Sequence, residues 1–293
     1  GKTSKVVNAA AVTEITGSAT EVAAAYAANP TTGITGLGNE NVEITGTTVA
    51  TLEELKAINN ATSGTLTLNA QSISADYSGL VVDVKDAFAG ITTQTGKITL
   101  TGGTVSVTDI NTVAGVTSGE VTATVTSGAA SVLNALTTTS TDAITMTVNA
   151  EASSAATQAS DLVSLNGKTN QVITMTAVTK VSGSYADLLD VYVTNAGQYN
   201  GEGDEAVTIT GSVTATQADA IADATSGVVT VASITADTAS ALNAALSDAQ
   251  VNAYTLTISA GSAVATDLTS LDSKTSVAVN AAAVTVITGS ATE

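Results

Sequence analysis

The sequence predicts an α/β solenoid, in which about eleven short parallel β-strands, one per coil, alternate with short alanine-rich helices through right-handed connections. Three observations predict it. Segments with period-two alternation recur along the whole chain. Between them lie alanine-rich stretches that open on helix caps. The chain also repeats itself over a long distance. Gly1–Glu21 (GKTSKVVNAAAVTEITGSATE) and Ser273–Glu293 (SKTSVAVNAAAVTVITGSATE) differ at only four of 21 positions, so that position 1 returns at position 273. A weaker copy begins at Gly167.

The strand segments are VEITG (42–46), TLTLNA (65–70), KITLTG (97–102), EVTATVT (120–126), AITMTVNA (143–150), VITMTAV (172–178), VTITG (207–211), VVTVAS (228–233) and YTLTIS (254–259), with further centres near residues 9 and 281. In AITMTVNA one face carries Ile144, Met146 and Val148 and the other Thr145 and Thr147. Centres fall about 22 to 35 residues apart, the length of a strand–helix coil. Helices are expected over ATEVAAAYAAN (19–29), TLEELKAINNA (51–61), TQADAIADA (216–224) and TASALNAALSDA (238–249). Ser18/Glu21, Thr51/Glu54, Ser106/Asp109, Ser184/Asp187 and Thr214/Gln217 have capping-box spacing. Gly64, Gly119 and Gly227 are expected as left-handed helix stops. A helix-free parallel β-helix and a string of β-sandwich modules are the competing folds. Residues 1–293 read as one continuous array, with sub-arrays 1–166 and 167–272 and the start of another long repeat at 273–293.

Composition fits thin, repeated packing. The chain has 293 residues, 2% aromatic content and no Trp, His or Cys. An ordinary globular core relies on aromatic side chains, which bury the most area each. The chemistry left open is narrow. Without His or Cys there is no usual zinc site, serine–histidine relay or thiol nucleophile. All eight basic residues are lysines, so no guanidinium clamp exists. A net charge of −18 opposes binding to nucleic acid and anionic lipid. No apolar run is long enough to insert in a membrane. No signal peptide is visible, and the start at Gly1 reads as a mature product or a fragment.

Four features are candidates for function. The loop GEGDEA (201–206) places Glu202, Asp204 and Glu205 among glycines, the oxygen-rich setting that calcium would use, although the usual calcium-loop ladder is missing. The threonine pairs Thr65/Thr67, Thr99/Thr101, Thr122/Thr124, Thr145/Thr147, Thr174/Thr176, Thr208/Thr210 and Thr255/Thr257 would stack into a ladder that binds ice or a glycan. Tyr185, Tyr192 and Tyr199, seven residues apart, would share a helical stripe. Glu53/Glu54 and Asp187/Asp190 are the only nominees for carboxylate hydrolysis, and the reading is that the chain is not an enzyme.

The repeat VTITGSVTATQADAIADATSGVVTVASITADT (207–238) resembles those of very long surface and adhesin-type proteins of bacteria, cyanobacteria among them. The resemblance covers nearly the whole chain and rests on composition and repetition. It implies a secreted or cell-surface location and carries over no functional residue. The expectation is a structural rod or filament segment of a giant extracellular protein (a filament, sheath, S-layer or adhesin stalk). It would associate with identical copies or neighbouring repeats, with divalent cations or glycans as further partners and without nucleic acid or membrane insertion.

Overall fold

A computed structural model describes residues 5–29, 33–152, 155–247 and 250–290. Asp248 and Ala249, the end of one expected helix, lie outside the described residues, as do the extreme ends of the repeated 21-residue segment. The chain forms two compact units: residues 1–126, 136–145 and 168–170 make the first, and 127–135, 146–167 and 171–293 the second.

The first unit contains β1 (Val7–Asn8), β2 (Glu14–Gly17), α1 (Ala19–Ala27), β3 (Ile34–Thr35), β4 (Asn41–Ile44), α2 (Leu52–Ala61), β5 (Leu66–Thr67), α3 (Ala70–Ser74), β6 (Tyr77–Leu80), α4 (Val81–Phe88), β7 (Ile98–Val105), α5 (Val107–Ala114), β8 (Val121–Val125) and β9 (Ala143–Thr145). Its sheets run β1-β3, β2-β4-β5 and β6-β7-β8-β9. The second unit contains α6 (Ala130–Leu133), β10 (Thr157–Gln158), α7 (Ala159–Asn166), β11 (Ile173–Thr174), β12 (Lys180–Gly183), α8 (Tyr185–Leu189), β13 (Tyr199–Asn200), β14 (Ala206–Val213), α9 (Ala215–Ala222), β15 (Val229–Ile234), α10 (Ala239–Ala245), β16 (Ala253–Tyr254), β17 (Gly261–Val264), α11 (Ala265–Lys274) and β18 (Val284–Thr288). Its sheets run β10-β12-β14-β15-β16, β11-β13 and β17-β18.

Each strand pair among the described residues is parallel. Paired residues are as close in sequence as Thr104 and Thr124 and as far apart as Val7 and Ile34. Parallel pairing excludes the sandwich string, and the helices exclude a helix-free β-helix. The expectation of about eleven strands is too low: eighteen are present among the described residues. The widest expected gaps each conceal further strands. β6 lies between the centres near 66 and 100, and β12 and β13 lie between those near 175 and 209. These segments (YSGL, KVSG and YN) lack the threonine alternation and are short or glycine-containing. Neighbouring helices are joined by two short strands in some places (β3 and β4 between α1 and α2) and by a single strand in others, of two residues in β5 and eight in β7. β7 bends at Gly102 and Gly103, with φ of 90° and 118°, where the register with β8 shifts.

The aliphatic faces are buried as the alternation requires. Ile98, Ile144, Met146, Ile173, Met175 and Leu256 are all fully buried. Capping boxes close completely at Ser18/Glu21, Thr51/Glu54 and Thr214/Gln217. At Ser106/Asp109 and Ser184/Asp187 only the hydroxyl half forms. Aspartate is one methylene shorter, so its carboxylate accepts from the cap hydroxyl instead (2.8 Å and 2.7 Å).

The three glycines expected as left-handed stops are something else. Gly64, Gly119 and Gly227 are not among the glycines with positive φ. A Cβ at these positions would lie 2.1 Å from the Glu40 carbonyl oxygen, 2.5 Å from that of Gly96 and 2.0 Å from that of Glu205. Glycine is required there by the close passage of one segment over the previous one, not by helix termination.

Candidate functional site

The threonine pairs lie on the solvent side of the strands, and none is buried. Thr99, Thr122, Thr147, Thr174 and Thr257 are half-buried; Thr65, Thr67, Thr101, Thr124, Thr145, Thr176, Thr208, Thr210 and Thr255 are exposed. Strand register divides them into short lines. Ser78, Thr99, Thr122 and Ala143 form one, and Thr104, Thr124 and Thr145 another. Thr147 meets Thr174, which meets Asn200. Thr208 lies between Ser182 and Thr230, after which comes Ala253. Glu43 separates Thr16 from Thr67. None of these lines holds more than three successive threonines.

The structurally committed threonines are different ones. Thr62, Thr117, Thr225 and Thr275 each donate to a carbonyl about twenty residues earlier and accept an N–H two residues later. The donor bonds run to Glu40 (2.6 Å), Gly96 (2.7 Å), Glu205 (3.0 Å) and Tyr254 (2.8 Å). The accepted bonds come from Gly64, Gly119, Gly227 and Val277. Thr169 makes the same kind of tie, donating to the Ile144 carbonyl at 2.7 Å. In three cases the sequence signal is the triplet Thr-Ser-Gly, at 62–64, 117–119 and 225–227.

The acidic loop does not gather its carboxylates around a point. Among the described residues no three acidic side chains are grouped to hold a metal ion. Asp204 is exposed, Glu202 half-buried and Glu205 fully buried. Glu205 Oε2 accepts from the Gly203 N–H (2.8 Å) and the Tyr192 hydroxyl (3.1 Å). Glu205 Oε1 and Glu202 Oε2 are enclosed without a hydrogen-bond partner. Burial pushes the Glu205 carboxyl above its ordinary range, and the nearby Asp204 adds to this against the opposing hydrogen bonds. The Tyr192 hydroxyl is pushed up by burial and then by the Glu205 charge.

The same construction occurs a second time. GLGNENVEITG (36–46) and GEGDEAVTITG (201–211) align residue for residue. Glu40 is fully buried, as Glu205 is. Its Oε2 accepts from the Gly38 N–H (2.8 Å) and the Tyr26 hydroxyl (3.1 Å), and its Oε1 also accepts from Gly38 (3.0 Å). Gly36, Gly38 and Gly46 match Gly201, Gly203 and Gly211, all with positive φ. The signal Gly-x-Gly-x-Glu before a strand is present in the sequence, but the attraction of an acidic calcium loop hides it. Burial raises the pKa of Glu40 too, yet the bonds from Gly38, from adjacent backbone and from Tyr26 outweigh it, so this carboxyl titrates below the ordinary range. The Tyr26 hydroxyl is raised, chiefly by burial, to about 12.

The expected tyrosine stripe does not form. Tyr185 opens α8, Tyr192 lies in a π-helical turn (Asp190–Thr194), and Tyr199 starts β13. Tyr199 is buried and donates to the Leu162 carbonyl at 3.2 Å. Three of the four carboxylates nominated for hydrolysis have structural partners: Glu54 closes the capping box of α2 and accepts from Thr20 at 2.6 Å, Asp187 accepts from the Ser184 cap hydroxyl at 2.7 Å, and Asp190 accepts from the Asn195 amide at 2.9 Å.

No known family matches the chain, and no curated protein or solved structure does. Among the described residues no helix is long and apolar enough to cross a membrane.

Proposed function

We propose that the chain is a rod-forming segment of a giant extracellular repeat protein, with its strands and helices coiled as a right-handed solenoid. The observation that carries this reading is the way each segment joins the one before. Strands pair in parallel with partners about one coil away. A threonine hydroxyl ties Thr225 back to Glu205, and a glycine beside it lets the backbones touch. Such contacts are made to a preceding segment of the same kind, so length can be added without a new core.

The long repeat supports the same reading, because the segment that opens at Gly1 returns at Ser273. Secretion, surface display, self-association and the absence of enzymatic activity are parts of this proposal. So is the bacterial adhesin-type resemblance. The ice- or glycan-binding reading of the threonine face has less support, since Ala143, Glu43 and Asn200 interrupt its lines. Calcium would act, on this reading, by relieving repulsion among 26 acidic residues.

The test is electron microscopy of the natural material together with the mass of the intact polypeptide. Fibres or a lattice, and a polypeptide far longer than 293 residues, are expected. Isolated short monomers of this length would overturn the reading.

A further inference from the structure

We infer that the exposed face of the five-stranded sheet β10-β12-β14-β15-β16 is the surface on which a second copy of this chain docks, sheet face against sheet face. The inference rests on the self-association in the rod reading and names the surface that carries it.

Strand register defines the face. Gln158, Ser182, Thr208, Thr230 and Ala253 form one row across all five strands. Lys180 and Ala206 pair two residues earlier, and Val228 and Val251 extend that side at 48% and 55% exposure. The alternate residues Val207, Ile209, Val229, Val231 and Tyr254 are buried on the opposite face. The exposed side is therefore a surface of short side chains, which two sheets can approach closely.

Charge selects the occupant. A net charge of −18 makes most of the surface repel a second copy. None of the 26 acidic residues lies on β10, β12, β14, β15 or β16. In the same unit Asp161, Asp187 and Asp219 sit on α7, α8 and α9, and Asp204 and Asp237 lie in loops beyond the strand ends. Depletion of charge at the centre is what marks the core of an interface from ordinary surface. In the other unit β6, β7, β8 and β9 are likewise without charge, whereas β2 and β4 present the exposed Glu14 and Glu43. The face is lateral, so coils added before or after it lengthen it and do not cover it.

Strands about 4.8 Å apart and roughly five residues deep give about 400 Å² of face, half of the ~800 Å² that each partner contributes to a standard interface. One pair of sheets is therefore weak, and affinity accumulates along a longer array.

Thr208 is on the middle strand with Thr230 beside it, so both meet the partner near the centre however one sheet is rotated on the other. Sedimentation over a concentration series is expected to show dimers of the chain, tightened by added salt that screens the remaining repulsion. Thr208→Asp with Thr230→Asp should weaken dimerisation at least about tenfold, and so should Thr208→Lys with Thr230→Lys. Mixing the two double variants should restore it as a heterodimer, which also shows that both fold. The lysine variant alone keeps every native acid and should stay monomeric, so recovery reports face on face. Thr216→Asp, exposed on α9, should leave dimerisation unchanged. Monomers at every concentration, an equal loss in Thr216→Asp, or no association of the mixed variants would overturn the docking face. Elongated particles that stay single would overturn it while the rod reading stands. Short monomeric natural material defeats the rod reading by its own test, and dimers lost and restored by the charge variants would still establish the face.

Discussion

Glu40 and Glu205 hold the same place in two copies of one construction, and they carry their charge under opposite terms. Each is fully buried, just before a strand, and receives an N–H and a tyrosine hydroxyl. Both Glu40 oxygens are bonded, and its loop neighbours are Leu37 and Asn39. One Glu205 oxygen is bare, and its neighbours are Glu202 and Asp204. The fold therefore favours ionised Glu40 and resists ionised Glu205. The backbone of the construction is shared, but at Glu205 burial outweighs the hydrogen bonds, with the Asp204 charge adding to it, whereas at Glu40 the hydrogen bonds outweigh burial.

The largest expected effect is one that leaves the two copies equal. Gly64→Ala and Gly227→Ala each force a Cβ into a carbonyl oxygen at 2.1 Å or 2.0 Å. Each should destabilise its own loop by about 3 kcal/mol or more, seen in the hydrogen exchange of the β4 and β14 amides. Unequal costs would mean that the copies differ in backbone as well as in charge.

Glutamine substitution should separate them. Glu40→Gln removes a bonded charge and is expected to cost about 1.5–3 kcal/mol at pH 7. Glu205→Gln removes a charge the site resists and should be neutral or stabilising in urea titration. A similar loss in both variants would refute the contrast.

The pH dependence has opposite signs. Glu40 titrates low in the folded state, so its contribution is complete above the ordinary value of 4.5 and is lost as pH falls through the lowered pKa. Glu205 titrates high, so its contribution is complete below 4.5 and is lost as pH rises through the raised pKa. Exchange protection around Tyr26 should weaken on acidification, while that around Tyr192 should strengthen. Exchanging the neighbours (Leu37→Glu with Asn39→Asp, Glu202→Leu with Asp204→Asn) should shift the two profiles toward each other.

The smallest effect compares the two kinds of threonine. Thr225→Val loses the tie to Glu205 and should cost about 1 kcal/mol, while Thr145→Val on the exposed face should change stability by less than about 0.5 kcal/mol. Thermal denaturation of the pair decides whether buried or exposed threonines hold the coils.

Much of this is legible in the sequence because it depends on local pattern. The alternation in AITMTVNA places Ile144, Met146 and Val148 inside, and Ser18, Thr51 and Thr214 cap helices as their spacing indicates. The losses come where a residue's role depends on another segment. Gly227 resembles a helix stop until the Glu205 carbonyl is found against it. Thr225 resembles any other threonine until its hydroxyl is seen bonded to that same earlier residue. Glu205 reads as a calcium ligand because an acidic glycine-rich loop suggests solvent, and nothing in the loop alone reveals the Tyr192 hydroxyl that reaches it. β6 and β13 escape a sequence reading because β-propensity in so short a segment is weaker than the pairing that a neighbour imposes.

The threonine ties have a mechanical consequence. On the solenoid we propose, a chain pulled from its ends would load these hydroxyl bonds one after another, since each belongs to one junction and shares no partner with the next. Force should peel the protein in small, nearly equal increments of about 70–95 Å, the contour length of roughly 20 to 27 extended residues. Such a material lengthens and dissipates energy in steps, where a single cooperative core would snap open at once.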